Sequence, residues 1–582
     1  MNRIILSAAA ILAVNGALGG GSPARAQAQV PSREEVNPTP PPPPATGARA
    51  RIDRSRFVPG PCPLADSALR TTIREVRFTA PGGAPLPPVL VQLLADIRPS
   101  GQQGPVSEVC TLRDEANARL GAARYVATVQ VPPQRIDDGV LRLEVVSGHI
   151  VEVRVRGDAG PFERVIRDRI AQLKALNPLN EADAERILLL TSDVPGLNVT
   201  LGLSPSLGGG APGDLIGELT VDYRRFSLIA NVQNYNSPLL GRETVYARAE
   251  LYGLLGAGDR TFIAGSTTFD FKKQKIAQLG EAITLDAAGD RLQLVGTIAE
   301  SRPDLKTIDL RTVTKIGSAE FIHPLRRSVT SNAEAALGFE WSEQRTRIYG
   351  TAGSAPINRD RIATLYARIN ADQRWLRFDG SQQAALAASL ELRKGLDIFG
   401  ATRTGQIGGG YAPTRFEGSA TATVVRGQVN GVIGVGPIFE LATTLRGQWA
   451  NRALLNYDEF AIGNLTVGRG YDPGSNSGDR AIGGSHELRI NVPLGPKAHG
   501  QLYGFFDWVH LWNLDTGSTE ASRTLKSAGG GVRLTLLNSI RLDLTYAHPF
   551  DPPLLTGINI HRAPDRFLFS LTTQLIPFGA RR

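Results

Sequence analysis

The chain has 582 residues, 42% of them hydrophobic, with a formal charge of +9, seven histidines and only two cysteines. Its arginines are dispersed and form no basic block of the kind that grips nucleic acid, and Cys62 and Cys110 lack the close pairing of zinc ligands. No stretch beyond the first residues approaches the roughly 18 uninterrupted apolar residues of a membrane-spanning helix.

The N-terminus reads as a secretory signal peptide over residues 1–26. Arg3 supplies the positive region, Ile4 to Val14 the apolar core, and Ala24-Arg25-Ala26 a small-x-small cleavage site, with Ala28 an equally good end. The core falls short of the roughly 20 residues that cross a bilayer. Export into an oxidising compartment predicts a Cys62–Cys110 disulfide, the alternative being two free thiols. Residues 27–68 form a linker dominated by Pro38 and Pro40 to Pro44, which favour extended polyproline geometry.

Next comes a mixed region with two copies of one pattern. The first, residues 69–148, opens with the alternating strand Ile73 to Phe78 and a helix from Pro88. A second helix spans Ser107 to Leu120, with Val109, Leu112, Ala116 and Leu120 on one face, and strands follow at Tyr125 to Val129 and Val140 to Val146. The second copy, residues 149–205, has a strand from His149 to Val155, helices at Phe162 to Leu173 and Glu181 to Thr191, and a closing strand at Leu197 to Leu203. Each copy reads strand–helix–helix–strand–strand, a unit that buries a small sheet face under two helices. The Gly/Pro-rich stretch from Leu203 to Leu215 is read as a break between regions.

From Ile216 to the end, residues 216–582, helical periodicity gives way to alternation. Val245, Ala247, Ala249 and Leu251 interleave with Tyr246, Arg248, Glu250 and Tyr252; Ile540, Leu542 and Leu544 interleave with Arg541, Asp543 and Thr545. Segments of about ten residues suit tilted strands crossing a bilayer, and roughly 365 residues at about 23 per strand and connection give about 16 antiparallel strands. The expected fold class is a membrane β-barrel in contact with outer-membrane lipid, preceded by two small α/β domains.

Enzyme signatures are absent: there is no nucleophile elbow, zinc-helix motif or phosphate loop, so no catalytic residue, metal or cofactor is assigned. The distinctive stretch is Val467-Gly468-Arg469-Gly470-Tyr471-Asp472-Pro473-Gly474, an arginine between glycines inside a long barrel connection. A buried guanidinium there requires a carboxylate on the wall. The stretch resembles the Arg-Gly-Tyr/Phe motif of two-partner secretion transporters, the haemolysin-activator branch of the outer-membrane assembly superfamily. Gln134 to Leu143 and Leu188 to Gly196 resemble the ends of that family's two POTRA domains, and Asn234 to Pro238 with Gly241 resembles its first barrel hairpin.

The resemblance implies a monomeric barrel in the outer membrane with POTRA domains in the periplasm. It implies that these domains recognise an unfolded partner exoprotein, which leaves through the barrel; nucleic acid is not an expected partner. The other roles considered are an assembly factor for other barrels, a passive porin-like channel and a barrel-linked enzyme. The family pairs the motif's arginine with an aspartate in a Phe-Asp-x-Gly pattern. Here Phe506-Asp507-Trp508-Val509 has valine for the glycine, but alternation still sends Asp507 inward, which implies an Arg469–Asp507 pair beside Gly470 and Tyr471. Many members also carry a plug helix ahead of the first POTRA domain. Between the prolines and Phe57 only the basic stretch Gly47 to Arg56 is available, so a reduced plug or none is expected.

Overall fold

The computed structural model describes residues 31–37, 49–52, 60–554 and 562–575, apart from 63, 137, 207–209, 306–307, 517–519 and 538. The signal peptide and the proline run lie outside the described residues. The chain divides into two compact units: residues 45–224 with 327–329, and a barrel unit of residues 225–326 and 330–582. The barrel unit also takes in the N-terminal segment with its short helix α1 (Arg33–Val36).

In the first unit, β1 (Arg49–Ile52) precedes two small α/β domains, the architecture expected of POTRA domains. The first domain holds the small pair β2 (Arg70–Thr72) and β4 (Gln103–Pro105), and a sheet of β3 (Glu75–Thr79), β6 (Val140–Ser147) and β5 (Ala127–Gln130), in that order. Helices α2 (Pro88–Leu94) and α3 (Glu108–Ala122) cover one face. Leu90, Leu94, Val109, Leu112, Ala116 and Leu120 meet Leu141, Leu143 and Val145 of β6 in one core, the 3–4 spacing on α3 supplying the stripe. A disulfide joins Cys62, ahead of β2, to Cys110 on α3.

The second domain contains β7 (His149–Asp158), α4 (Glu163–Ala175), α5 (Glu181–Ser192), β8 (Leu197–Pro205) and β9 (Asp214–Tyr223). Its boundary differs from the sequence expectation. The stretch from Leu203 to Leu215 does not separate two regions: β8 and β9, on either side of it, pair with each other, and β9 also pairs with β7. The domain therefore runs to Tyr223 rather than 205, and the barrel starts at Phe226 rather than 216. The cause is plain in the residues: Leu215, Gly217, Leu219 and Val221 alternate with Asp214, Ile216, Glu218, Thr220 and Asp222, a mostly polar set as on a barrel strand, yet they are buried in this domain's core or sheet.

The barrel begins with β10 (Phe226–Gln233) and closes when its last strand, Arg566–Gln574, pairs back onto β10. Sixteen antiparallel strands form the closed ring. Alternation sets the two faces. On the strand Thr244–Tyr252, Tyr246, Arg248, Glu250 and Tyr252 are buried inward, whereas Leu251 is 48% exposed on the outer face with other apolar side chains such as Ile263, Leu365 and Trp449. A band of this kind is satisfied by lipid. Three consecutive strands, Asp309–Arg327, Ser331–Gly350 and Gly353–Leu376, are 19, 20 and 24 residues long, well beyond the roughly 10 that cross a bilayer. No described helix is long and apolar enough to cross a membrane.

Candidate functional site

Inside the barrel the connection between the strands Phe439–Ala450 and Arg480–Gly495 folds back onto the wall. Gly468 sits at φ +103° and lets the chain turn. Gly470 is needed for approach: a Cβ there would lie 2.7 Å from the Ser527 Cβ and 3.0 Å from the Pro549 nitrogen. Its N–H donates to Ser527 Oγ at 3.2 Å.

Arg469, held by those two turns, reaches three wall residues. Its backbone N–H and Nε donate to Asp507 Oδ2 at 2.9 and 3.0 Å, and Nη2 donates to Asp507 Oδ1 at 2.7 Å. Nη2 also donates to Ser485 Oγ at 2.6 Å, and Nη1 to Glu487 Oε1 at 2.5 Å. The guanidinium carbon lies 3.6 Å from the Phe505 ring centroid. Burial works against the charge, but Asp507 and Glu487 outweigh it and hold the Arg469 pKa above its usual value. Planar, bidentate pairing of this sort is suited to arginine and poorly copied by lysine.

Tyr471 anchors the next step. Its hydroxyl donates to the Lys526 carbonyl at 2.7 Å and accepts the Asp551 N–H at 3.2 Å, while its carbonyl accepts from Arg566. Burial pushes the phenol up to about 12, which keeps it a donor. Asp472 then pairs with Arg242 at 2.7 Å and Arg566 at 3.0 Å. The structure thus brings Arg469, Gly470, Tyr471 and Asp507 to one patch of wall.

Val509, where the resembled pattern has glycine, is fully buried and packs with Val467, Tyr471 and Leu525 under the loop. The missing space is found across the ladder. Gly483 is its direct partner, and a Cβ on Gly483 would meet the Val509 side chain at 3.1 Å.

Two further clusters are absent from the sequence expectation. Arg415, in the connection after the strand Gln382–Leu396, grips the neck of the loop. It donates to Glu459 (2.7 Å), Asp479 (2.5 Å), Asp515 (2.5 Å) and the Leu454 carbonyl (3.0 Å). Burial opposes its charge, yet the three carboxylates raise its pKa. Asp479 also accepts the N–H groups of Leu454 and Leu514 at 2.6 and 2.7 Å. No single motif carries this cluster, because its acids come from two other connections, Glu459 and Asp479 from the loop itself and Asp515 from the one after the strand Ala498–Trp512.

The second is α1. It is a short helix in the lumen, in keeping with a reduced plug, but it lies before the prolines and not in the stretch Gly47 to Arg56 after them. Ser32 and Glu35 form a reciprocal cap at its start. Arg33 bonds Glu340 at 2.7 Å, and Arg393 holds the other Glu340 oxygen at 2.8 Å. Side-chain amides of Gln274, Gln278 and Gln344 donate to the Glu35 carbonyl, Asn37 Oδ1 and the Pro31 carbonyl. Val36 is fully buried among Ile276, Ile316 and Ile362. A Cβ on Gly474 would lie 3.5 Å from Glu35 Oε2, so the helix and the folded-in loop touch. A four-residue turn has no room for an apolar stripe, which is why periodicity misses it. Among the described residues no group of His, Cys, Asp and Glu is placed to hold a metal ion.

The family model described as haemolysin secretion/activation protein ShlB/FhaC/HecB matches residues 304–534, which include the loop and both of its clasps. Over that stretch, less than half of its length, the chain is similar to this family of outer-membrane proteins. It is 21% identical over 473 residues to the heme/hemopexin transporter protein HuxB of Haemophilus influenzae, covering 78% of this chain and 79% of that one. Its fold is shared with CdiB from Escherichia coli, at a TM-score of 0.68 and 15% identity over 94% of this chain and 95% of the other. CdiB from Acinetobacter baumannii matches at a TM-score of 0.61 and 15% identity, over 88% and 91% of the two chains. The polar lumen, the folded-in loop and α1 together form the candidate site.

Proposed function

We propose that this chain conducts an unfolded partner exoprotein across the outer membrane, receiving it on periplasmic POTRA domains and releasing it through the barrel. The observation that carries the reading is the way the lumen is filled. Its two obstructions, the Arg469 loop and α1, are held chiefly by ion pairs and hydrogen bonds, which can exchange with water and with a passing main chain. A passive channel needs neither POTRA domains nor such removable parts. The lumen walls, with Arg248, Glu250, Arg291 and Asp543 among their charges, suit a hydrated polypeptide better than an apolar solute. The chain acts as a monomer, with Arg469 and Asp507 holding the resting state, and folding of the partner outside supplies the direction of transport.

The test is secretion of a long exported β-helical protein co-expressed with this chain. Surface appearance of that protein should be lost when residues 69–223 are deleted while the barrel still inserts. Undiminished secretion without those residues would refute the role given to the POTRA domains.

A further inference from the structure

Neighbouring strands of the barrel share a row of outward positions. Ile369, Leu390, Gly427, Gly447 and Ile482 stand opposite one another in turn, on the strands Gly353–Leu376, Gln382–Leu396, Thr423–Val435, Phe439–Ala450 and Arg480–Gly495. The two glycines interrupt the row. Over them, between the exposed side chains of Ile369 and Leu390 on one side and Ile482 on the other, lies an apolar groove of about 430 Å³. Val429 and Leu445 continue it in the next row.

Glycine weakens the interior of a strand and is kept where the backbone turns or where something approaches closely. The protein itself does not require these two. Neither has a positive φ, and a Cβ on Gly427 or Gly447 would meet nothing nearer than a carbonyl oxygen at 4.0 or 3.6 Å. Gly470 and Gly483, packed against side chains, are the opposite case. The space over Gly427 and Gly447 is left open on the face that meets lipid.

The groove has a charged end. With the POTRA domains in the periplasm, β10 runs outward and so does every second strand of the ring, Gln382–Leu396 and Phe439–Ala450 among them. The glycines thus lie a short way below the outer ends of their strands, in the outer half of the apolar band. Toward those ends, on the same outward face, come Trp449, Arg480 and Lys394. Arg480 Nε donates to the Ala450 carbonyl at 2.8 Å, and its guanidinium carbon lies 5.3 Å from the Trp449 ring centroid. Lys394 Nζ donates to the Thr421 carbonyl at 2.9 Å and to Thr423 Oγ1 at 3.4 Å. Among the described residues neither cation is paired with a carboxylate. Cations and a tryptophan at the membrane surface, above an apolar groove, complement an anionic headgroup whose chains run down the wall.

We propose that this groove binds a phosphorylated glycolipid of the outer leaflet, one acyl chain lying over Gly427 and Gly447 and a phosphate held by Arg480 and Lys394. The choice of leaflet rests on the reading that the POTRA domains are periplasmic. The strands that the lipid bridges carry the Arg415 connection and the Arg469 loop at their outer ends.

The test uses the full-length protein in detergent micelles, titrated with purified lipid A, with lipid A stripped of its phosphates and with phosphatidylglycerol, and read by native mass spectrometry. Lipid A should bind saturably and at least about tenfold more tightly than either of the others. Gly447→Leu fills the groove and should weaken lipid A at least about tenfold, and Gly427→Leu, on the neighbouring strand, should act alike. Lys394→Gln/Arg480→Gln, which alters no packing in the groove, should reduce lipid A to the affinity of its dephosphorylated form. Equal affinity for the three lipids, or lipid A binding that every variant retains, would overturn the proposal. So would a dimer of the unaltered protein that Gly447→Leu dissolves, since the groove would then be a contact between copies. Failure of the orientation looks different: Arg452→Cys, exposed just past Ala450, would then resist a membrane-impermeant maleimide on intact cells.

Discussion

Replacing Arg469 by alanine removes four side-chain hydrogen bonds, but their loss is not shared evenly. Glu487 keeps Arg489 at 2.7 Å and Arg533 at 2.9 Å. Asp507, whose side chain is 1% exposed, loses its only cation and keeps the neutral donors alone, the Ser485 hydroxyl at 2.7 Å and the backbone N–H of residue 469 at 2.9 Å. An uncompensated buried carboxylate of this kind costs about 3–5 kcal/mol, which shifts loop docking by roughly two to three and a half powers of ten. Asp507→Ala is milder, about 1.5–3 kcal/mol, because Arg469 retains Glu487 and the Phe505 ring. The double variant should cost little more than Arg469→Ala alone, a coupling of at least about 1.5 kcal/mol. Ser527→Cys, placed under Gly470, reports docking through its rate of maleimide labelling in otherwise native membranes. Labelling should rise at least about a hundredfold in Arg469→Ala. If the two single effects simply add, the pair is not coupled and the account of the loop fails.

Gly470→Ala should undock the same loop without touching a charge, at about 1–3 kcal/mol, since its new methyl meets Ser527 and the Pro549 backbone; the maleimide assay reads it, and wild-type labelling would refute the steric account. Arg415→Met should leave Asp479, whose side chain is fully buried, without its guanidinium partner and lower barrel stability by about 3–5 kcal/mol, seen as a reduced temperature for loss of the folded band on heated gels. Removing the Cys62–Cys110 bridge with serines, a separation of 48 residues, should cost the first POTRA domain about 2–4 kcal/mol and open it to limited proteolysis. Docking of α1 should weaken as pH rises. Burial, against the opposing bonds from Ser32 and Ser237, lifts the Glu35 carboxyl to about 7, so its stabilising protonated form is complete below about 4.5 and lost through about 7. Glu34, Gln274 and Gly474 face it without supplying a cation. A spin-label distance from α1 to the barrel wall should show this trend, and Glu35→Gln should abolish it.

The barrel was legible because alternation is a strong local signal, and the same two-residue period correctly sent Asp507 inward while leaving Leu502 and Phe506 outside. Strand β9 misled for the same reason: an alternating strand does not declare which sheet it joins, so the barrel was started ten residues early. Arg415 stayed hidden since its carboxylates lie 44, 64 and 100 residues away in sequence, in no fixed spacing. α1 stayed hidden because its partners, such as Glu340 some 307 residues on, give it stability that four residues alone do not express. The linker strand β1 is held by main-chain bonds, and main-chain bonds leave little imprint on side-chain choice.

The folded-in loop is fastened at its neck by Arg415 and at its tip by Arg469. A tether secured at both places does not peel under tension one contact after another. A pull from the periplasmic or the outer end loads one clasp while the other keeps the loop's shape, so little yields at small force and much yields together at larger force. Under the proposed role in transport, two clasps so placed make the loop a threshold element, one that resists thermal jostling and answers a sustained load such as a chain being drawn past it.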